Sequence, residues 1–199
     1  MARTKQWMRL IAAVRRRLQT KISDMNPGAR PTLRPGDSAT FANDEKELGF
    51  EFPPLLKRLY GEIGNGGFGP GYGMIGLTGG VPDDLGQTAP ESYLALRGND
   101  PEPGWNWPVG LLPICHWGCA ILSCIDCEDG NFRMRMFDPN AHSDGDWGDA
   151  FFDESLGFEE WIAAWAKGID LSDRMYGERG PIKRILSARH AAAKLLRDE

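Results

Sequence analysis

PPLLKRLYGEIGNGGFGPGYGMIGLTGG, residues 53–80, is the stretch that decides how this chain folds. Pro53 and Pro54 sit where proline is tolerated at the start of a helix. Leu55, Leu56, Leu59, Tyr60 and Ile63 then recur at helical spacing. Gly64 is a natural stop, and Asn65-Gly66 is a turn signal. Glycine at the density that follows means repeated positive φ or close backbone approach. Two formal matches to G-x-G-x-x-G occur here: Gly64, Gly66, Gly69, and Gly71, Gly73, Gly76. A phosphate cradle needs strand, glycines, then helix, so that a helix N-terminus faces the pyrophosphate. Here the helix comes first and a strand-like run, Tyr72 to Leu77, comes after. No Walker lysine is present. The segment reads as a structural pivot from helix into sheet.

The run from Glu45 to Leu77, with ELGF, FPPLLKRLY and EIGNGGFGPGYGMIGL in that order, resembles the signature of the SUKH superfamily. More narrowly, it resembles the bacterial relatives of the yeast Smi/Knr cell-wall-assembly regulator. Three further blocks match the family in order and spacing: LLPICHWGCAILSCIDC (Leu111 to Cys127), FRMRMFDPN (Phe132 to Asn140) and SLGFEEWIAAWAKGIDL (Ser155 to Leu171). The resemblance spans residues 40–172. Its signature positions here are Pro54, Asn65, Gly66, Gly67, Trp117, Gly118 and Trp161. It implies a sheet entered through an "NGG" turn and closed by an "F-x-x-W" helix. It also implies a protein-binding role: many bacterial relatives act as immunity proteins, and the yeast relative is a regulatory scaffold.

The chain of 199 residues fits one core better than two. No apolar run approaches the ~20 residues that cross a bilayer, and no signal peptide is evident. Four cysteines within thirteen residues, without an export signal, fit a reducing cytoplasm. The charge is uneven. The ends are basic, whereas residues 25–172 hold nine Lys/Arg against 23 Asp/Glu, leaving −14 behind an overall −5. An acidic body repels nucleic acid and attracts cationic protein partners.

Trp7, Leu10, Ile11, Val14, Leu18 and Ile22 form an apolar stripe with arginines on the other face, the pattern of a helix docked on the body. Residues 26–39 have linker composition. Pro181 to Leu196 reads as a C-terminal helix, in an extension over 173–199 that packs or self-associates.

Cys115, Cys119, Cys124 and Cys127, with His116, invite a zinc site, and Cys124/Cys127 is a formal C-x-x-C. On a strand over 119–127 those two would face opposite ways and could not share a metal. No metal and no cofactor are therefore assigned. The acidic segment from Asp138 to Ser155 is the candidate working surface. Asp144, Asp146, Asp149, Asp153 and Glu154 surround Trp147 there, with Phe151 and Phe152 between. Neither register yields a calcium loop. Carboxylates around an exposed indole suit docking of a basic protein. Trp105 and Trp107 form a second patch or cover the end of the sheet. No G-x-S-x-G elbow occurs, and Cys115 and His116 would diverge on a strand, so no catalytic residue is assigned.

The expected architecture is α+β, a mainly antiparallel sheet covered by helices with extra N- and C-terminal helices. Its strands fall near 68–77, 109–114, 119–127 and 131–137, with helices around 41–63, 91–97 and 157–167. FRMRMF alternates, with Met134 and Met136 on one face and Arg133, Arg135 and Phe137 on the other, as in a half-exposed strand. The expected organisation is a basic helix (1–25), a linker (26–39), a SUKH-like domain (40–172) and the extension. The expected function is a cytoplasmic, non-enzymatic immunity module for a basic toxin such as a nuclease. The alternatives are a scaffold of the same fold, and a small-ligand binder or enzyme built on the glycine-rich hairpin.

Overall fold

A computed structural model of the chain describes residues 2–25, 32–98, 105–142 and 147–172. The fold is α+β. The helices are α1 (Ala2–Leu18), α2 (Ser38–Leu48), α3 (Pro54–Glu62), α4 (Ala89–Gly98) and α5 (Phe158–Ala166). The strands are β1 (Leu111–Gly118), β2 (Ile121–Asp126), β3 (Arg133–Phe137) and β4 (Phe151–Gly157), an antiparallel meander in chain order. The expected C-terminal helix lies outside the described residues.

Local chemistry explains the helices. Asp37 caps α2 by accepting the Thr40 N–H at 3.1 Å, and Gly49 ends it in the left-handed region at φ 81°. Pro54 fills the first turn of α3, where its missing N–H costs nothing. Glu160 reaches back to accept the Gly157 N–H at 3.0 Å, which starts α5 directly off β4.

The sheet departs from expectation in four places. The glycine-rich segment contributes no strand; its only ladder contacts among the described residues are isolated bridges, Ser23 with Gly69 and Met74 with Cys115. Its N–H groups divide between internal bonds, such as Gly67 to Met74 O at 2.7 Å and Gly73 to Pro70 O at 2.9 Å, and β1, where Tyr72 donates to His116 O at 3.2 Å and Ile75 to Ile114 O at 2.8 Å. The expected strand over 119–127 loses its first residues to a two-residue hairpin turn, Cys119-Ala120, with φ of 52° and 60°. The fourth strand comes from Phe151–Gly157, which begins inside the acidic segment expected as a working surface and lies outside the expected strands. And β3 is not half-exposed. Arg133 faces water, but Arg135 is only 2% exposed and Phe137 4%. Asp153 and Asp126 neutralise Arg135, and Trp105, Trp107 and Trp147 cover Phe137 with ring centroids 5.9, 5.1 and 6.3 Å away. Trp105 and Trp107 thus serve the second role considered for them, as a lid over the sheet.

A bulge marks the β3–β4 pairing. Arg135 sits opposite Asp153 and Arg133 opposite Gly157, so Glu154, Ser155 and Leu156 face Met134 alone. Ser155 takes φ 58° to accommodate this, and the bulge turns Glu154 inward.

The buried core runs from Leu10, Ile11 and Val14 of α1, through Leu56, Leu59 and Tyr60 of α3, to Trp161 and Trp165 of α5. The apolar stripe of α1 therefore docks on the body. Trp7 Nε1 donates to Glu159 Oε2 at 2.9 Å, and the Arg17 guanidinium lies 5.9 Å from the Trp165 ring.

Candidate functional site

The glycine-rich pivot is held by Asn65. Its buried amide donates to Leu77 O at 3.1 Å and Thr78 O at 3.2 Å, and its carbonyl oxygen accepts the Leu77 N–H at 2.8 Å. Tyr60 Oη donates to Ile75 O at 2.6 Å, tying α3 to the same loop, and burial pushes its pKa up. Gly66, at φ 81°, lets backbone pass so closely that a Cβ there would sit 2.5 Å from Gly76 N. Gly67, also at positive φ, follows it. Trp117 Nε1 donates to Ser123 Oγ across the β1–β2 hairpin at 2.9 Å, and Gly118 leaves room beside the Tyr72 ring.

The acidic segment is more structural than its sequence suggests. Asp144 and Asp146 lie outside the described residues. Trp147 opens a 3-10 turn, Trp147–Ala150, and is half-buried: it stacks on His142 at 3.9 Å and meets Trp105 edge-on at 4.8 Å. The indole is therefore not the exposed ring that was expected, because its faces are taken by its own chain. Asp149 Oδ1 lies 3.0 Å from His142 Nδ1. Asp153 accepts from Arg133 at 2.8 Å and from Arg135. Glu154 is buried and accepts from Trp161 Nε1 at 2.8 Å, so it belongs to the core and not to a docking surface. Desolvation raises its pKa to about 7, against the opposing pull of Ser123 and Trp161.

The cysteines disperse. Cys119 is exposed on the hairpin turn, Cys115 and Cys124 are buried, and Cys127 is half-buried. Burial pushes the thiols of Cys115, Cys124 and Cys127 up, away from the thiolate that metal binding or nucleophilic attack requires. A groove of about 660 Å³ lies between α1 and the β3–β4 edge, lined by Arg3, Arg9, Arg133, Lys167, Glu159 and Glu160. It is far from the pivot in sequence, and its glutamates are engaged: Glu159 by Gln6 and Trp7, Glu160 by Gly157.

The order of these parts is a capped helix pair, the Asn65-Gly66-Gly67 pivot, the Trp117-Gly118 hairpin and the Trp161 helix. It coincides with a match to the family model described as SMI1 / KNR4 family (SUKH-1), over residues 35–164. The chain belongs to the SMI1/KNR4 family. No curated protein and no solved structure matches it. Within the SMI1/KNR4 span, six Lys/Arg stand against 22 Asp/Glu, leaving −16. Among the described residues no helix is long and apolar enough to cross a membrane.

One surface escaped the reading of the sequence. Leu85 is exposed on a turn beside Asp84, and His116 links that turn to exposed Tyr72. The available signal was a lone leucine among turn formers in VPDDLGQT, residues 81–88.

Proposed function

We propose that this SMI1/KNR4 protein is a cytoplasmic, non-enzymatic module that binds and neutralises a polymorphic toxin, a basic one such as a nuclease. The observation that carries this reading is the −16 concentrated on the family span, in a chain whose cations cluster at its ends. Such a field speeds association with a cationic protein and disfavours nucleic acid. In this reading residues 40–172 are the binding unit. The segment that carries Asp149, with Asp144 and Asp146 just before it in the sequence, meets the partner.

Co-expression with the toxin encoded beside this gene tests it. The expected result is survival of the host and a complex that co-purifies. The complex should weaken by about tenfold or more between roughly 0.05 and 0.5 M salt. Changing Asp144, Asp146 and Asp149 to Asn should lower the affinity and flatten the salt dependence. Neither complex nor protection would remove the immunity reading. Unchanged affinity in the triple variant would move the docking edge elsewhere.

A further inference from the structure

The turn that carries Leu85 is unusually well tied. Asp83 Oδ1 accepts the N–H groups of both Leu85 and Gln87, each at 2.9 Å. The Asp83 N–H donates to Gln87 O at 2.8 Å, and the Gly86 N–H donates to Asp83 O at 3.1 Å. These bonds hold Leu85 in place while leaving it 79% exposed. An apolar side chain fixed in water does nothing for the stability of the free chain. Its neighbours share that exposure. Asp84 Oδ1 lies 3.8 Å from His116 Nδ1, and the His116 ring stacks on Tyr72 at 5.0 Å and 14°. The Met25 N–H donates to Gly71 O at 2.8 Å, which ties the Met25 backbone to the residue before Tyr72. Three of the six exposed large apolar side chains among the described residues, Met25, Tyr72 and Leu85, therefore belong to segments that these contacts hold together, with Asp84 beside Leu85 in the chain. Exposed apolar side chains brought together in this way are the material of interaction sites.

The same molecule carries the complement. No Asp or Glu occurs between residues 2 and 18. With Leu10, Ile11 and Val14 buried, α1 turns Lys5, Met8, Arg9 and Arg16 outward, and Met8 is 52% exposed. Among the described residues, Lys5, Arg9 and Arg16 make no ion pair. A cationic stripe around an exposed methionine matches an acid-flanked apolar patch in both charge and polarity.

We infer that a second copy of this chain occupies the Met25–Tyr72–Leu85 face, seating on it the outward side of its α1. The inference is independent of the toxin reading, because the purified chain alone is both protein and probe.

Sedimentation velocity and light scattering on the full chain across micromolar concentrations test it. The mass should rise above that of one chain, and the association should weaken about tenfold between roughly 0.05 and 0.5 M salt. Leu85→Ser should weaken it about tenfold while the thermal midpoint stays unchanged, since Leu85 touches no core. Asp84→Lys and Arg9→Glu should each weaken it about tenfold alone. Mixing those two variants should restore association, because each offers the other a matched patch and a matched helix. A single-chain mass at every concentration overturns the inference and leaves the face to a different cationic protein. So does undiminished association in the variants, or a mixture that fails to recover.

Discussion

Glu154 is where a sequence-level charge becomes a core group. It is 7% exposed, and burial moves its pKa from 4.5 to about 7. In the unfolded chain the carboxyl ionises near 4.5, whereas in the fold it holds its proton until about 7. The unfolded state therefore binds fewer protons between those values, and the contribution of Glu154 to stability falls as pH rises through that window, levelling off above it. The loss is about 3 kcal/mol by pH 8. Glu154→Gln keeps an acceptor for Trp161 and removes the charge. It should stabilise the protein by about 2 kcal/mol at pH 8 and hardly at all at pH 4. Urea unfolding at pH 4, 6 and 8 reads this directly, and a gain independent of pH would show that the carboxyl is not the cause. Asn65 is the opposite case, a polar side chain whose bonds are all native. Asn65→Ala removes three hydrogen bonds and leaves the Leu77 N–H buried without its acceptor. A loss of about 3 kcal/mol in the same assay is expected.

At the scale of elements, the pivot and β3 carry paired tests. Gly66 and Gly79 have nearly the same φ, 81° and 76°. A Cβ at Gly79 meets nothing within 4 Å, whereas one at Gly66 collides with the Gly76 backbone. Gly79→Ala should cost about 1 kcal/mol, from φ alone, and Gly66→Ala several times that, or fail to fold. Equal effects would show that the close approach is unimportant. On β3, Arg135→Met should destabilise by about 3 kcal/mol, since it strips the cation from buried Asp126 and half-buried Asp153. Exposed Arg133→Met should cost under about 1 kcal/mol. Helices α2, α3 and α5 were legible because their signals are local: a prolyl first turn, leucines at helical spacing, a glycine stop. The β4 strand was not legible, because Asp153 and Glu154 read as solvated charges. Their partners, Arg135 and Trp161, lie far enough along the chain that only the tertiary fold unites them. Arg135 misled for the same reason, since alternation assigns a charged residue outward unless its counter-charges are known. The pivot itself was legible as a turn. Its strand stops at an isolated bridge to β1, because Tyr72 and Ile75 donate to β1 while the Gly73 N–H between them turns back to Pro70 O.

At the scale of the molecule, the question is whether α1 is an appendage or part of the folded unit. Sequence composition separates it, through a Pro/Gly stretch before α2 and an opposite charge. The packing joins it: Val14 is fully buried, Ile11 is 3% exposed, and both belong to the cluster that contains Trp161 and Trp165. The family match begins only at residue 35, so this helix is an addition to the family span that shares its core. Two indoles report on the seam, Trp7 through its bond to Glu159 and Trp165 beneath Arg17. Val14→Asp places an unpaired charge in that core and should destabilise the protein by at least about 3 kcal/mol. If α1 and the body form one cooperative unit, wild-type unfolding followed by tryptophan fluorescence and by circular dichroism should coincide in one transition. Amide exchange in α5 should then rise in the Val14→Asp variant along with that in α1. Separate transitions in the wild type, or a variant in which α1 detaches while α5 keeps its protection, would make α1 an appendage. The −16 body would then act without its basic helix, and the copy-to-copy contact through α1 would lose the rigid seat it needs.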